Sequence, residues 1–227
     1  MTNKMKKKKA PRRGQFVENM IGKFIGRMPA EPKRKRVISS KPLTEAQELV
    51  MNRFRLANNF ASKFRHVAKI GFDEVSLIKG QTGLNWLVSD LLKNCITGDK
   101  NHLRIDFMNM RLSEGWKVDV LFPLIKLATA GRGKLEWMIV DSRSKNSDQV
   151  YLCIYNESTD QILYSGFVAD RSAQQVDFEL DASFQPADLL HCWVFAKSFN
   201  SRHVSDSEYI ERLTIINDFS NPKPKSL

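Results

Sequence analysis

The stretch Gln175-Val176-Asp177-Phe178-Glu179-Leu180 decides the fold class. Successive side chains of an extended strand point to opposite faces. Val176, Phe178 and Leu180 therefore share one face, and Gln175, Asp177 and Glu179 the other. One dry face and one wet face is the pattern of an antiparallel strand over a core. Further upstream, Val150, Leu152 and Ile154 oppose Tyr151, Cys153 and Tyr155, so this strand is expected to be covered on both faces. Eight strand candidates follow Gly98, at about 103–112, 116–122, 134–141, 149–156, 161–168, 174–181, 189–198 and 208–216. Asn, Asp, Ser and Gly separate them. Short strands at such spacing predict an immunoglobulin-like β-sandwich of about seven to eight strands.

Before Gly98 the apolar period is helical rather than alternating. Thr44 with Gln47 three residues later is a capping-box pattern. Ala46, Val50, Ala57, Phe60, Phe64 and Val67 recur at helical spacing behind it, with Leu49, Phe54 and Ala61 widening the stripe. Gly71 is the expected end of this helix. Leu84, Leu87, Val88, Leu91, Leu92, Cys95 and Ile96 predict a second helix over about 84–96, closed by Gly98. The expected class is α+β: a basic arm, two helices, then an antiparallel sandwich. The expected divisions are a disordered arm at 1–41, a helical region at 42–99, the sandwich at 100–218 and a flexible tail at 219–227.

Charge is segregated along the chain. Residues 1–41 hold 14 lysines and arginines against Glu18 and Glu31. The remaining 186 residues hold 22 basic and 23 acidic residues, so the net charge of +11 resides in the arm. The candidate polyanion-binding residues are Lys6, Lys7, Lys8, Lys9, Arg12, Arg13, Lys33, Arg34, Lys35 and Arg36. Clustered cations attract phosphate polymers by releasing condensed counterions, without reading sequence. The same block also suits a solubilising tail. With the amphipathic patch Phe16, Val17, Met20, Ile21, Phe24 and Ile25, it suits an anionic membrane surface as well. Pro29, Pro32 and the basic run that follows break any helix there.

No apolar run approaches the roughly 20 residues of a membrane span. The charged start has no apolar segment of signal-peptide type behind it, because Glu18, Asn19, Gly22, Lys23 and Gly26 interrupt 16–28. A cytoplasmic or virion-associated protein is expected. Cys95, Cys153 and Cys192 are odd in number and widely spaced, which is no disulfide framework.

The sequence points to no catalytic residue, no metal ligand and no cofactor. His66, His102, His191 and His203 fall in no zinc-ligand spacing. His191 and Cys192 are neighbours on a strand and so face opposite ways. Gly131-Arg132-Gly133-Lys134 lacks the earlier glycine and the hydroxyl of a P-loop, since Ala128 and Leu135 hold those places. It reads as a hairpin. Trp137, Trp193 and Phe195 read as core aromatics, whereas Trp116 beside Gly115 is the aromatic least suited to a core. An enzyme assembled from sandwich loops would gather several of Asp141, Glu157, Asp170, His191 and His203. A surface or secreted module binding glycan or protein would display an exposed aromatic platform.

Several ordered stretches resemble a family of uncharacterised Bacteroidota proteins of about this length. They are Gly22-Lys23-Phe24-Ile25-Gly26 with Arg27 and Pro29; Pro42, Thr44, Ala46-Gln47, Arg53-Phe54 and Gly71-Phe72; Leu92-Lys93-Asn94, Gly98, Ile105-Asp106 and Leu112-Ser113-Glu114-Gly115; and Val204-Ser205-Asp206-Ser207-Glu208-Tyr209. The resemblance covers about residues 20–216. It departs at the front, where the family is glycine-rich and this chain is basic. It implies no activity and no site residues. The first half is also similar to small phage-associated proteins with a Pro-x-Thr-x-Ala-Gln helix start. The combined expectation is a non-enzymatic binding or structural module, phage-like or derived from a mobile element. Its arm would hold nucleic acid or another polyanion, and its sandwich a second copy or a protein partner.

Overall fold

The computed structural model describes residues 42–117, 119–139, 147–211 and 213–216. The ten candidate residues of the arm, Asp141 and the tail at 219–227 lie outside the described residues.

Helix α1 (Glu45–Lys63) starts at Thr44 through the expected reciprocal cap. The Gln47 amide N–H donates to Thr44 Oγ1 at 3.3 Å, and the Thr44 amide N–H donates to Gln47 Oε1 at 3.0 Å. Such a cap stabilises a helix by about 1 kcal/mol. The helix does not run on to Gly71. It breaks at Phe64 into α2 (Arg65–Gly71), and again at Phe72 into α3 (Asp73–Lys79). Phe64 and Phe72 leave helical geometry (φ −91°, ψ 13° and φ −110°, ψ 17°), and both are fully buried. The chain bends at both residues, and both rings lie in one core. Gly71 is there for a close approach: a Cβ would lie 2.1 Å from the Leu112 carbonyl oxygen.

The buried face of α1 is also rotated from the expected stripe. Ala57, Phe60 and Ala61 are buried, but Val50 and Phe54 are exposed. Arg53 explains part of the rotation. Its Nη2 donates to the carbonyls of Leu92 and Ile96 at 2.9 and 3.1 Å. Leu92 lies in the π-helical turn, Leu91–Cys95, that continues α4 (Gly83–Asp90), and Ile96 is the first extended residue after it. Among the described residues four α-helices stand where two were expected.

Strands β1 (Ile96–Thr97) and β2 (Arg104–Ile105) form a small antiparallel pair. The main body is two four-stranded sheets. One has the order β10 (Leu213–Ile216), β3 (Leu121–Ala128), β4 (Arg132–Met138), β7 (Gln175–Glu179). The other has the order β6 (Gln161–Asp170), β5 (Gln149–Asn156), β8 (Leu190–Lys197), β9 (Glu208–Tyr209). Within these two sheets the strands pair antiparallel except β10 and β3, which run parallel. The candidate at 103–112 is a strand only at β2, and that at 116–122 contributes a single bridge at Lys117 before β3 begins. Strand β3 was hidden by Pro123, a residue that cannot donate to a ladder. The candidate at 208–216 is two strands, one in each sheet.

Two apolar clusters hold the layers together. Between the sheets, Ile125, Leu127, Leu135, Trp137 and Phe178 meet Leu152, Ile154, Leu163 and Val194. On the other side of β5 and β8, Cys153, Tyr155, Trp193 and Phe195 pack with Phe60, Phe64, Phe72, Leu87 and Leu91 of the helices. Strand β5 is thus covered on both faces, as its sequence implies. The edge strand β6 is blunted. The Leu163 carbonyl accepts the Asp181 amide and the Phe167 carbonyl accepts the Tyr164 hydroxyl, both at 2.8 Å. Register shifts beside both positions add twist.

Candidate binding site at the loop end of the sheets

Strand register places six chain ends together. Leu121 pairs Met138, and Gln149 pairs both Asp170 and Lys197. The Trp137 amide donates to the Gln174 carbonyl at 2.9 Å, tying in the start of β7. Beneath these ends lies a buried polar platform. Arg171, 1% exposed, donates its amide N–H to the Asp148 carbonyl and its Nη2 to the Asp119 carbonyl. Trp137 Nε1 donates to the Arg171 carbonyl at 2.9 Å. Lys117 Nζ donates to both Asp148 carboxylate oxygens at 2.7 Å. Charge-assisted bonds of this kind are the strong ones, so the platform is a rigid base for what stands on it.

Large apolar side chains stand exposed at this end: Trp116 (82%), Phe122 (71%), Phe199 (64%) and Met138. The place of Trp116 is set by its neighbours. A Cβ on Gly115 would lie 2.1 Å from the Val204 carbonyl oxygen, and the next amide, Lys117, donates to that same oxygen at 3.0 Å.

Across the outer face of β3, β4 and β7 runs an open depression of about 540 Å³. Its floor is the cross-strand row Leu124, Glu136 and Gln175. Phe122, Met138 and Gln174 rise around it. Glu136 pairs with Lys134 at 3.0 Å and Lys126 at 3.5 Å. The Lys134 hydrogen bond, aided by Lys126, holds its carboxyl below the usual glutamate range. Two rim residues have left-handed backbones, Phe122 (φ 52°) and Gln174 (φ 56°). Phe122 is the costlier: it is bulky, precedes Pro123, and sits in the β-bulge between Leu121 and Leu124. Such conformations cost about 1–3 kcal/mol and cluster at functional sites. Burial of its ring does not offset the cost here, because the ring is in solvent.

The structure brings together two residues from the enzyme reading. His191 Nε2 lies 3.0 Å from Glu157 Oε2, and its Nδ1 lies 2.9 Å from the Tyr209 hydroxyl. An ionised carboxylate only accepts, so Nε2–H donates to Glu157, and in the neutral imidazole Nδ1 then accepts from the Tyr209 hydroxyl. The imidazole also stacks on Phe107 at 3.9 Å. With both nitrogens and one face occupied, the ring ties β8 to β9 and to the β5–β6 turn. In that turn the Tyr155 hydroxyl donates to Asp160, which also pairs with Lys63. Burial, first of all, pushes the Tyr155 and Tyr209 hydroxyls above the ordinary tyrosine range. His203 lies elsewhere, 2.8 Å from Glu74, and Asp170 ends β6. Phe107 and Tyr209 fall within the strand candidates at 103–112 and 208–216, but nothing local marks either as a partner of His191, because a loop and a two-residue strand supply them. Phe122 did carry a local signal, the Phe-Pro dipeptide, which marks a restricted backbone.

Among the described residues no group of three or more histidine, cysteine or acidic side chains could hold a metal ion, and no helix is long and apolar enough to cross a membrane. Comparison with protein-family models, with curated proteins and with solved structures returns no match.

Proposed function

We propose that this protein is a non-enzymatic binding or structural module that anchors itself to nucleic acid, or a similar polyanion, through its basic arm. The observation that carries the reading is the partition of charge: 14 basic against two acidic residues in 1–41, and near-neutrality in the rest. The body engages much of its own charge internally. Lys117 holds Asp148, Arg111 bridges Asp90 and Glu114, and Lys126 and Lys134 share Glu136. Lys6 to Lys9, Arg12, Arg13 and Lys33 to Arg36 are the residues that would contact phosphate.

The body is read as an immunoglobulin-like sandwich. The order β6-β5-β8-β9 supports this reading, because it follows the C′-C-F-G order of such domains, and β3-β4-β7 follows A-B-E. The loop end would then correspond to the end that carries binding loops in variable domains. A phage-like or mobile-element origin, a place in the cytoplasm or a virion, and kinship with the Bacteroidota family belong to the same proposal.

The test is binding of full-length protein to mixed-sequence DNA and RNA at low salt. It is compared with a full-length variant whose ten candidate lysines and arginines are all glutamine. The wild type binds both polymers and the variant neither. Equal binding by the two proteins overturns the reading.

A further inference from the structure

We infer that the depression on β3, β4 and β7 is a binding site for a neutral oligosaccharide. The first ground is the strained rim. Phe122 is held left-handed, before a proline, in a bulge, with its ring 71% exposed. Bulges re-aim side chains beside functional sites. This one turns an aromatic ring outward over an open depression of about 540 Å³. Gln174, also left-handed, faces it across the floor.

The second ground is the chemistry of the lining. Phe122, Leu124 and Met138 offer apolar contact, while Gln174, Gln175 and Glu136 offer polar groups. An apolar surface with a few placed polar groups is the general form of a ligand site. A sugar ring has an apolar C–H face that fits against an aromatic ring. Its neighbouring hydroxyls both donate and accept, which suits two carboxamides and a carboxylate. Lys126 and Lys134 are drawn to Glu136, and that carboxylate stays ionised. Asp177 stands across from Lys134 in the β4–β7 register, so two lysines meet two carboxylates on this face, which favours an uncharged ligand over an anionic one. The depression is open, so a chain can pass through it.

The experiment is calorimetric titration of the full-length protein with cellohexaose, xylohexaose, maltohexaose and chitohexaose, and with an uncharged extended peptide. At least one hexasaccharide is expected to bind with a Kd of millimolar or tighter. Phe122→Ala and Gln175→Ala are each expected to weaken it at least tenfold. Leu77→Ala, at an exposed position on α3 outside the depression, leaves it unchanged. Phe122→Gly relieves the strained backbone, so it loses binding while its Tm rises by roughly 2–4 °C. That rise separates a lost contact from a damaged fold. The variant with ten arm substitutions keeps saccharide binding, which distinguishes this site from the arm's role. No binding by any of the four sugars overturns the inference. So does binding that survives Phe122→Ala, or Phe122-dependent binding of the peptide alone.

Discussion

Replacing Trp193 with phenylalanine tests whether helices and sheets form one cooperative structure. Trp193 is fully buried on the helix-facing side of β8. Its ring meets Phe64 at 6.1 Å and Tyr209 at 5.7 Å, and its Nε1 donates to the Met110 carbonyl at 3.0 Å. Phenylalanine cannot donate, so a carbonyl in a buried setting loses its partner, at about 1–3 kcal/mol. The smaller ring also leaves a void. Full truncation of such a residue to alanine costs about 3–5 kcal/mol, so the partial change adds roughly 1–2 kcal/mol. The combined loss is about 2–5 kcal/mol, a fall in Tm of roughly 4–20 °C for a domain of this size. The assay is urea unfolding in a Trp86→Phe, Trp116→Phe background, followed by far-UV circular dichroism for the helices and by fluorescence of the remaining strand tryptophans, Trp137 alone in the Trp193→Phe variant, for the sheets. The two signals should move together with and without Trp193→Phe. Trp116→Phe, at an exposed position, should stay within about 0.5 kcal/mol of wild type. A loss below about 1 kcal/mol in Trp193→Phe refutes the shared core as described. So does a helical signal that melts apart from the fluorescence.

Three further outcomes follow from particular contacts. Arg53→Met removes the charged donor from the Leu92 and Ile96 carbonyls, so chemical denaturation should show a loss of about 1.5–3 kcal/mol. Burial, reinforced by Asp119, raises the Glu208 carboxyl above the usual glutamate range. The folded state thus favours the protonated form, and the stability this brings is present at low pH and lost as pH rises through the raised value. Glu208→Gln should raise Tm at pH 7, and the gain should vanish below the ordinary glutamate pKa of about 4.3. Burial pushes the Cys95 thiol up to about 12 and lifts Cys153 and Cys192 further. A thiol-specific reagent at pH 8 should therefore label none of the three until urea unfolds the protein.

What could be read from the sequence was local. The alternation of Val176 and Phe178 against Asp177 and Glu179 gave β7, and two apolar faces in 149–156 gave a strand covered on both sides. The Thr44–Gln47 cap was legible because its partners lie three residues apart. Other features depended on partners far away in the chain. Arg53 belongs to the buried face of α1 only because it caps carbonyls 39 and 43 residues on. Phe64 and Phe72 fit a helical period, yet the chain breaks at both, and their rings lie in one core. Pro123 concealed β3, and the partition of 208–216 between two sheets has no local mark. At the loop end, Lys117 and Asp148 are 31 residues apart, and Arg171 reaches Asp119 from 52 residues away. Nothing in the intervening sequence couples them.

The account's central claim is that the arm is a polyanion anchor on a nearly neutral body. The salt dependence of DNA binding by the full-length protein tests it most directly. Each phosphate neutralised contributes about −0.9 to the slope of log K against log salt concentration. Replacing Lys33, Arg34, Lys35 and Arg36 with glutamine should therefore flatten the slope by roughly 3–4 if all four engage phosphate. A slope that is steep in the wild type and unchanged in this variant, or no measurable binding by the wild type at low salt, contradicts the claim.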